Sequence, residues 1–211
     1  MQAKTTIRSA AELYAGELHR SSGNFSLEHY GRYAELLFRA YYDYGTPAQR
    51  EADDVLFDIW IDEPMRRDPV YLRDIRSGHA APVLRSDRLY IANPRGAQQA
   101  FTVVAQSAVR VDSQASALSD HKHRSSSNFS VDELPEGNLR FYLFYHYGTP
   151  VQKRAAGVSF AVRQNRLLRH PPVIWEQVTD GAVVRSYGYE RLYIADPRGA
   201  TEPFTVIIAE E

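Results

Sequence analysis

Hydrophobic and polar residues alternate along several short stretches of this chain. Between Tyr33 and Tyr44, one predicted face carries only apolar or aromatic residues: Leu36, Phe38, Ala40, Tyr42 and Tyr44. The stretch from Asp53 to Asp62 alternates in the same way, with one face formed by Val55, Phe57, Ile59 and Ile61. A period of two residues is typical of a β-strand with one buried side. The pattern therefore predicts strands at both places.

The same alternation returns in the second half of the chain, because the sequence contains an internal duplication. The segment Arg88–Ala97 recurs as Arg191–Ala200 with one change, Asn93 to Asp196. Its apolar and aromatic flanks predict two strands, and the Asn/Asp-Pro-Arg-Gly between them predicts a type I turn. We therefore expect this segment to form a hairpin in each copy.

Short strand-forming stretches fill both copies, and turn residues separate them without any long amphipathic helical pattern. The sequence therefore predicts an all-β fold, a tandem duplication of an antiparallel β-sandwich with about seven strands per copy. The sandwich is expected to be immunoglobulin-like or jelly-roll-like. The first repeat is predicted to span residues 1–106 and the second residues 107–211. Between them, residues 106–108 would form a very short linker.

Composition excludes several classes of function. The formal net charge of −1 gives no electrostatic reason to expect nucleic acid as a partner. The chain has no cysteine, so disulfides and thiolate metal sites are excluded. No apolar run approaches the roughly 20 residues of a transmembrane segment, and the first residues lack the apolar core of a secretory signal. A cytoplasmic protein is the default expectation, and non-classical secretion is compatible with the same features.

A repeated polar loop is the first candidate binding site. The pattern His-Arg-Ser-Ser-x-Asn-Phe-Ser occurs in both copies, and its side chains could form hydrogen bonds with a sugar or a peptide. Six residues carry this prediction: His19, Arg20, Asn24, His123, Arg124 and Asn128. The alternative is that both asparagines bond their own backbone and that the loop is only a turn.

The outward row of the predicted strand at residues 53–62 is the second candidate. Trp60 stands between Asp58 and Asp62, and an aromatic ring flanked by carboxylates suits stacking and hydrogen bonding to a sugar. The row could instead be an interface anchor or a face covered by the other domain. Arg163 corresponds to Trp60 in the second copy, so the row is not duplicated.

Catalytic and metal sites are not predicted. No serine, histidine and aspartate can be given triad roles, and the chain lacks the glycine-rich loops that bind phosphate or dinucleotides. His121 and His123 lie on one side of a possible strand, but a metal would need further ligands that the sequence does not identify. We therefore expect no enzyme, no metal and no cofactor.

The leading prediction is a non-catalytic binding protein with two similar β-sandwich modules, whose partner is a carbohydrate or another cell-surface ligand. Duplicated sites would add avidity. The alternative is a structural or interaction protein, such as an assembly subunit, toxin component or adaptor, and a homo-oligomer is compatible with this alternative. That alternative rests on aromatic residues expected to be exposed: Tyr41, Trp60, Tyr142 and Phe144.

Overall fold

A computed structural model describes residues 4–9, 33–61, 70–84, 89–113, 129–132, 134, 136–149, 151–165, 171–189 and 191–211. Within these ranges every regular element is a β-strand, and the strands form antiparallel sheets. The prediction of an all-β protein is therefore confirmed. The same ranges contain no helix that is long and apolar enough to cross a membrane.

The chain divides into two compact units, one consisting of Ala3–Ser107 and the other containing Ala108–Glu211. The strands of the first unit are β1 (Lys4–Ser9), β2 (Tyr33–Tyr42), β3 (Arg50–Glu51), β4 (Leu56–Ile61), β5 (Val70–Ile75), β6 (His79–Leu84) and β7 (Leu89–Arg95). Strand β8 (Phe101–Ser113) contributes residues to both units. The second unit continues with β9 (Gly137–Tyr145), β10 (Lys153–Arg154), β11 (Ser159–Gln164), β12 (Val173–Thr179), β13 (Val183–Ser186), β14 (Leu192–Arg198) and β15 (Phe204–Glu210).

Each unit contains one larger sheet and one three-stranded sheet. In the first unit, β2 lies between β8 on one side and β3 and β6 on the other, and β1 pairs with the first half of β8. In the second unit, β9 lies between β15 on one side and β10 and β13 on the other, and β15 pairs with the second half of β8. The three-stranded sheets have the orders β5-β4-β7 and β12-β11-β14.

The core of each unit is formed by residues from both of its sheets. In the first unit the core includes Leu36, Phe38, Ala40, Tyr42, Val55, Phe57, Ile59, Phe101 and Val103. In the second unit it includes Leu139, Phe141, Leu143, Tyr145, Val158, Phe160, Val162, Phe204 and Val206. Alternation assigned these positions of β2, β4, β9 and β11 to the inward face, and for them the assignment is confirmed. The side chain of Ile61, assigned to the same face, is not among those described. Tyr44 and Tyr147 follow β2 and β9 and are only half-buried.

The repeated segment does not form the predicted hairpin. Strand β7 continues through Asn93 and Pro94, and β8 then begins at Phe101 in the other sheet. Asn93 has a left-handed φ of 47°, which asparagine tolerates, and β7 bulges here against β4. The turn-forming residues therefore bend a strand rather than reverse it, and the segment crosses from one sheet to the other.

The predicted linker is also wrong. Gln106, Ser107 and Ala108 lie in the middle of β8, and the Gln106 side chain is buried. None of the three is a glycine or a proline, so nothing in the local sequence interrupts the strand. The boundary between the two compact units therefore falls inside one strand, between Ser107 and Ala108.

The aromatic residues expected to be exposed are mostly covered. Tyr142 and Phe144 are only 4% and 3% exposed, so the prediction that they form an open face is wrong. The guanidinium of Arg154 lies over both rings, 4.7 Å and 5.2 Å from their centroids. Tyr41 and Trp60 are half-buried. Cation–π contact and burial thus cover aromatic side chains that alternation alone assigned to a solvent-exposed face.

Candidate functional site

The three-stranded sheet of the first unit carries a group of polar residues on the face away from the core. We call Asp58, Asp74, Asn93 and Arg95 the Asp58 cluster. Asp58 Oδ1 accepts hydrogen bonds from the Asp74 backbone N–H (3.1 Å) and from Arg95 Nη2 (3.2 Å). Asp58 Oδ2 accepts one from Asn93 Nδ2 (2.9 Å), and Arg95 Nη2 also lies 2.7 Å from Asp74 Oδ1. Donors from two neighbouring strands, β5 and β7, therefore hold the carboxylate that β4 carries.

The protonation state of Asp58 follows from these contacts. Burial raises the pKa of its carboxyl, whereas hydrogen bonds from Asn93 and the Asp74 backbone and the charge of Arg95 lower it more. The pKa therefore lies below the ordinary value for aspartate. Asp58 is an ionised group whose oxygens are directed at donors within the protein.

The structure describes two of the three residues in the predicted row of Asp58, Trp60 and Asp62. Asp58 is 6% exposed, so the prediction that it lies on an open face is wrong: the neighbouring strands cover it and supply its donors. Trp60 packs against Tyr90 with ring centroids 6.1 Å apart, and its Nε1 is buried without a hydrogen-bond partner in the described part of the chain. Asp62 lies outside the described residues.

The repeated polar loop also lies outside the described residues. This applies to all six of its candidate residues: His19, Arg20, Asn24, His123, Arg124 and Asn128. A role for this loop in binding stays a prediction.

The second unit has a pocket at the place that corresponds to the Asp58 cluster. This pocket, which we call the Arg198 pocket, has a volume of about 190 Å³. It is lined by Ser159, Phe160, Ala161, Arg163, Val173, Glu176, Gln177, Asp196 and Arg198. Arg163 Nη2 donates to Asp196 Oδ2 at 3.1 Å, and Arg163 Nη1 donates to the Pro171 carbonyl at 3.1 Å. The pocket thus combines an internal ion pair with further charged and polar groups.

Strand registers show that the two places correspond. In the first unit Asp58 is paired with Ala92, and in the second unit Ala161 is paired with Ala195. Trp60 and Arg163 occupy the next outward position of β4 and β11. The alanine at 161 therefore leaves open the volume that a carboxylate fills in the first unit.

Two further residues of the Asp58 cluster are replaced by different residues in the second unit. Asp74 corresponds to Gln177, and both residues have left-handed φ values, 55° and 52°, at a bulge in β5 and β12. Asn93 corresponds to Asp196, again with similar φ values of 47° and 50°. The backbone is conserved between the units while the side chains change, so the duplicated scaffold presents a filled site in one unit and a pocket in the other.

The sequence analysis did not identify the pocket, although it noted that Arg163 corresponds to Trp60. The useful signal was the full set of positions at which the two copies differ. Asp58 to Ala161, Trp60 to Arg163 and Asn93 to Asp196 are scattered along the sequence. They meet only because β4 pairs with β7 and β11 pairs with β14.

Metal ligation finds no support in the residues that the structure describes, which hold no group of three or more histidine, aspartate or glutamate side chains suited to an ion. The Arg198 pocket offers guanidinium, carboxylate, amide and hydroxyl groups instead. Such groups bind polar organic ligands through hydrogen bonds.

Comparison with known proteins adds no relative from which a role could be transferred. No protein-family model, no curated protein and no solved structure matches the chain. The function of the protein therefore has to be inferred from the geometry of its own residues.

Proposed function

We propose that the chain is a non-catalytic, lectin-like binding protein that recognises a carbohydrate through the Arg198 pocket. We further propose that it consists of two β-sandwich domains, residues 1–106 and 107–211, of immunoglobulin-like or jelly-roll-like type. Two sheets that share one core in each unit support the sandwich arrangement. The single observation that carries the function is the pocket itself, present where the first unit places a buried carboxylate.

The chemistry of the lining supports a sugar as ligand. Glu176 and Asp196 can accept hydrogen bonds from hydroxyl groups, and Arg198 can donate to them. Ala161 and Val173, both half-buried, add apolar surface against which the C–H groups of a sugar ring can pack. This mixture of apolar wall and convergent polar groups is typical of a small-molecule site.

The same lining favours binding over catalysis. No histidine, cysteine or lysine is among the described residues that line the pocket. Asp196, the carboxylate nearest to Arg163, is engaged in an ion pair with it. A nucleophile with a neighbouring base, the usual arrangement for covalent catalysis, therefore finds no counterpart among these lining residues.

Blocking the pocket provides the test of the proposed function. We expect Ala161→Asp to place a carboxylate beside Arg198, as Asp58 lies beside Arg95, and to reduce sugar affinity at least about 10-fold. Titration calorimetry with a panel of neutral and acidic monosaccharides and disaccharides would measure the loss. Val151→Asp is the matched control, because it adds the same charge at a position that is 69% exposed and outside the pocket.

Two results would count against the proposal. If no sugar in the panel bound the unchanged protein, carbohydrate recognition would be excluded for that panel. If a sugar bound and Ala161→Asp left its affinity unchanged, the binding site would lie elsewhere, and the repeated polar loop would become the next candidate.

A further inference from the structure

The guanidinium of Arg198 differs from that of Arg95, its counterpart, in having no partner among the residues that the structure describes. Arg95 contacts two carboxylates, those of Asp58 and Asp74. The side chain of Arg198 forms no ion pair or hydrogen bond with any described residue, although it lines a pocket that also contains Glu176 and Asp196. The duplication thus retains the arginine while it removes both of the groups that hold it in the first unit.

The second unit lacks both of the carboxylates that contact Arg95 in the first unit. Ala161 replaces Asp58 and Gln177 replaces Asp74, so neither replacement leaves a negative charge next to position 198. The pocket lies where these side chains would be. An arginine presents a planar set of donors that can bind a carboxylate, and in the first unit one of these donors, Arg95 Nη2, reaches Asp58 Oδ1 at 3.2 Å.

The contacts of Asp58 in the first unit therefore indicate which ligand chemistry suits the pocket of the second unit. Asp58 is a carboxylate on the protein itself, held by an arginine and by the backbone N–H of a left-handed residue, Asp74. Gln177 repeats the backbone conformation of Asp74, so its N–H is expected to point to the same position. A carboxylate supplied from outside would find the same kind of donors, Arg198 and Gln177.

Asp196 does not prevent the binding of an anion, because its charge is already compensated. Arg163 occupies the position of Trp60 and lies 3.1 Å from Asp196 Oδ2. A second acid, Glu176, also lines the pocket and can act as an acceptor. The two acids can accept hydrogen bonds from ligand hydroxyls while the arginine at 198 binds the ligand carboxylate.

We infer that the ligand of the Arg198 pocket is a sugar acid, with its carboxylate on Arg198 in the way that the Asp58 carboxylate lies on Arg95. This inference rests on the proposed carbohydrate function and adds the charge and the orientation of the ligand. Recognition depends on one guanidinium for the carboxylate and on Glu176 and Asp196 for the hydroxyls.

Titration calorimetry with matched sugars tests the inference. Glucuronate and galacturonate are compared with glucose and galactose, and succinate serves as a carboxylate without a sugar ring. We expect the uronates to bind about 10- to 100-fold more tightly than the neutral sugars, the range that one charge-assisted hydrogen-bonded pair provides. Arg198→Ala should remove this preference, so that uronates and the matching neutral sugars bind the variant with equal affinity.

Controls separate the pocket from the fold. Arg95→Ala, the same change in the first unit, should keep the uronate preference. Arg198→Lys keeps the charge but not the planar donors, and we expect it to retain only part of the preference. Melting curves of all variants would show whether any loss of binding reflects unfolding, which is not expected for an exposed side chain such as that of Arg198.

The outcomes distinguish this inference from the function on which it rests. Equal affinity for uronates and neutral sugars, unchanged in Arg198→Ala, would overturn the inference and leave carbohydrate binding intact. Binding of succinate but of no sugar would support Arg198 as a carboxylate site and contradict the carbohydrate function. If no probe bound at all, both would be contradicted.

Discussion

The Asp58→Ala variant is expected to lose about 2–3 kcal/mol of unfolding free energy, because a buried charged acceptor with several donors is removed. Asn93 Nδ2 and the Asp74 N–H would both lose their acceptor in a place that the neighbouring strands cover. Arg95 would keep its second contact with Asp74, which limits the loss. The effect is therefore expected to come from the two uncharged donors more than from the guanidinium.

The measurement can be restricted to one unit. The chain has two tryptophans, and Trp60 lies in the first unit while Trp175 lies in the second. Denaturant titrations followed by fluorescence in a Trp175→Phe background would report on the surroundings of Asp58. Asp74→Ala is the matched control: its side chain is 71% exposed, and we expect a loss of at most about 1 kcal/mol, as for other exposed ion pairs.

The contribution of Asp58 to the unfolding free energy should depend on pH in a defined direction. Its pKa is lowered in the folded protein, so the folded state holds the ionised form more strongly than the unfolded state does. The stabilisation is thus present above the unfolded pKa, about 3.9, and is lost as the pH falls through the folded value. The difference in unfolding free energy between Asp58→Ala and the unchanged protein should therefore become smaller at acidic pH. A gap that stayed constant, or one below about 0.5 kcal/mol at neutral pH, would contradict this account of the cluster.

Replacing Phe57 by alanine is expected to have the larger effect, a loss of about 3–5 kcal/mol, because the ring is fully buried and a cavity would remain. The ring lies 6.1 Å from that of Phe101, so the change removes contacts between the two sheets of the first unit. Phe160→Ala is the equivalent change in the second unit, where the ring contacts Phe141 and Phe204.

Fluorescence from the two tryptophans again provides the readout. Phe57→Ala should shift the denaturation midpoint reported by Trp60, and Phe160→Ala the midpoint reported by Trp175. Val151→Ala, at a site that is 69% exposed, should change neither by more than about 0.5 kcal/mol. A loss below about 1 kcal/mol for either phenylalanine would show that the ring does not fill the core as its burial indicates.

The inward faces of the central strands were predictable from the sequence. Leu36, Phe38, Phe141 and Phe160 fall on the faces that alternation assigns to them, and all are buried in the core of their unit. This succeeds because the side a residue takes on a strand depends only on its position relative to its neighbours, with a period of two. The all-β class followed from the same local property.

The opposite faces were not predictable, because alternation says which residues share a side but not what covers that side. The two-residue period assigns Tyr142 and Phe144 to the solvent-exposed face of β9. Both are nevertheless buried, and Arg154 lies over both rings. The segment around Asn93 looked like a turn, since asparagine and proline favour turns. Its left-handed residue is accommodated as a bulge because β4 pairs along it.

The candidate site was decided entirely by tertiary structure. The partners of Asp58 lie 16, 35 and 37 positions away in the sequence, and each reaches the carboxylate from a strand adjacent to β4. The same pairing in the second unit brings Ala161, Gln177 and Arg198 around a pocket. Local sequence determines which residues point outward from each strand. Hydrogen-bonded pairing between distant strands determines which of these residues meet, and so whether an arginine lies next to a carboxylate of its own sheet.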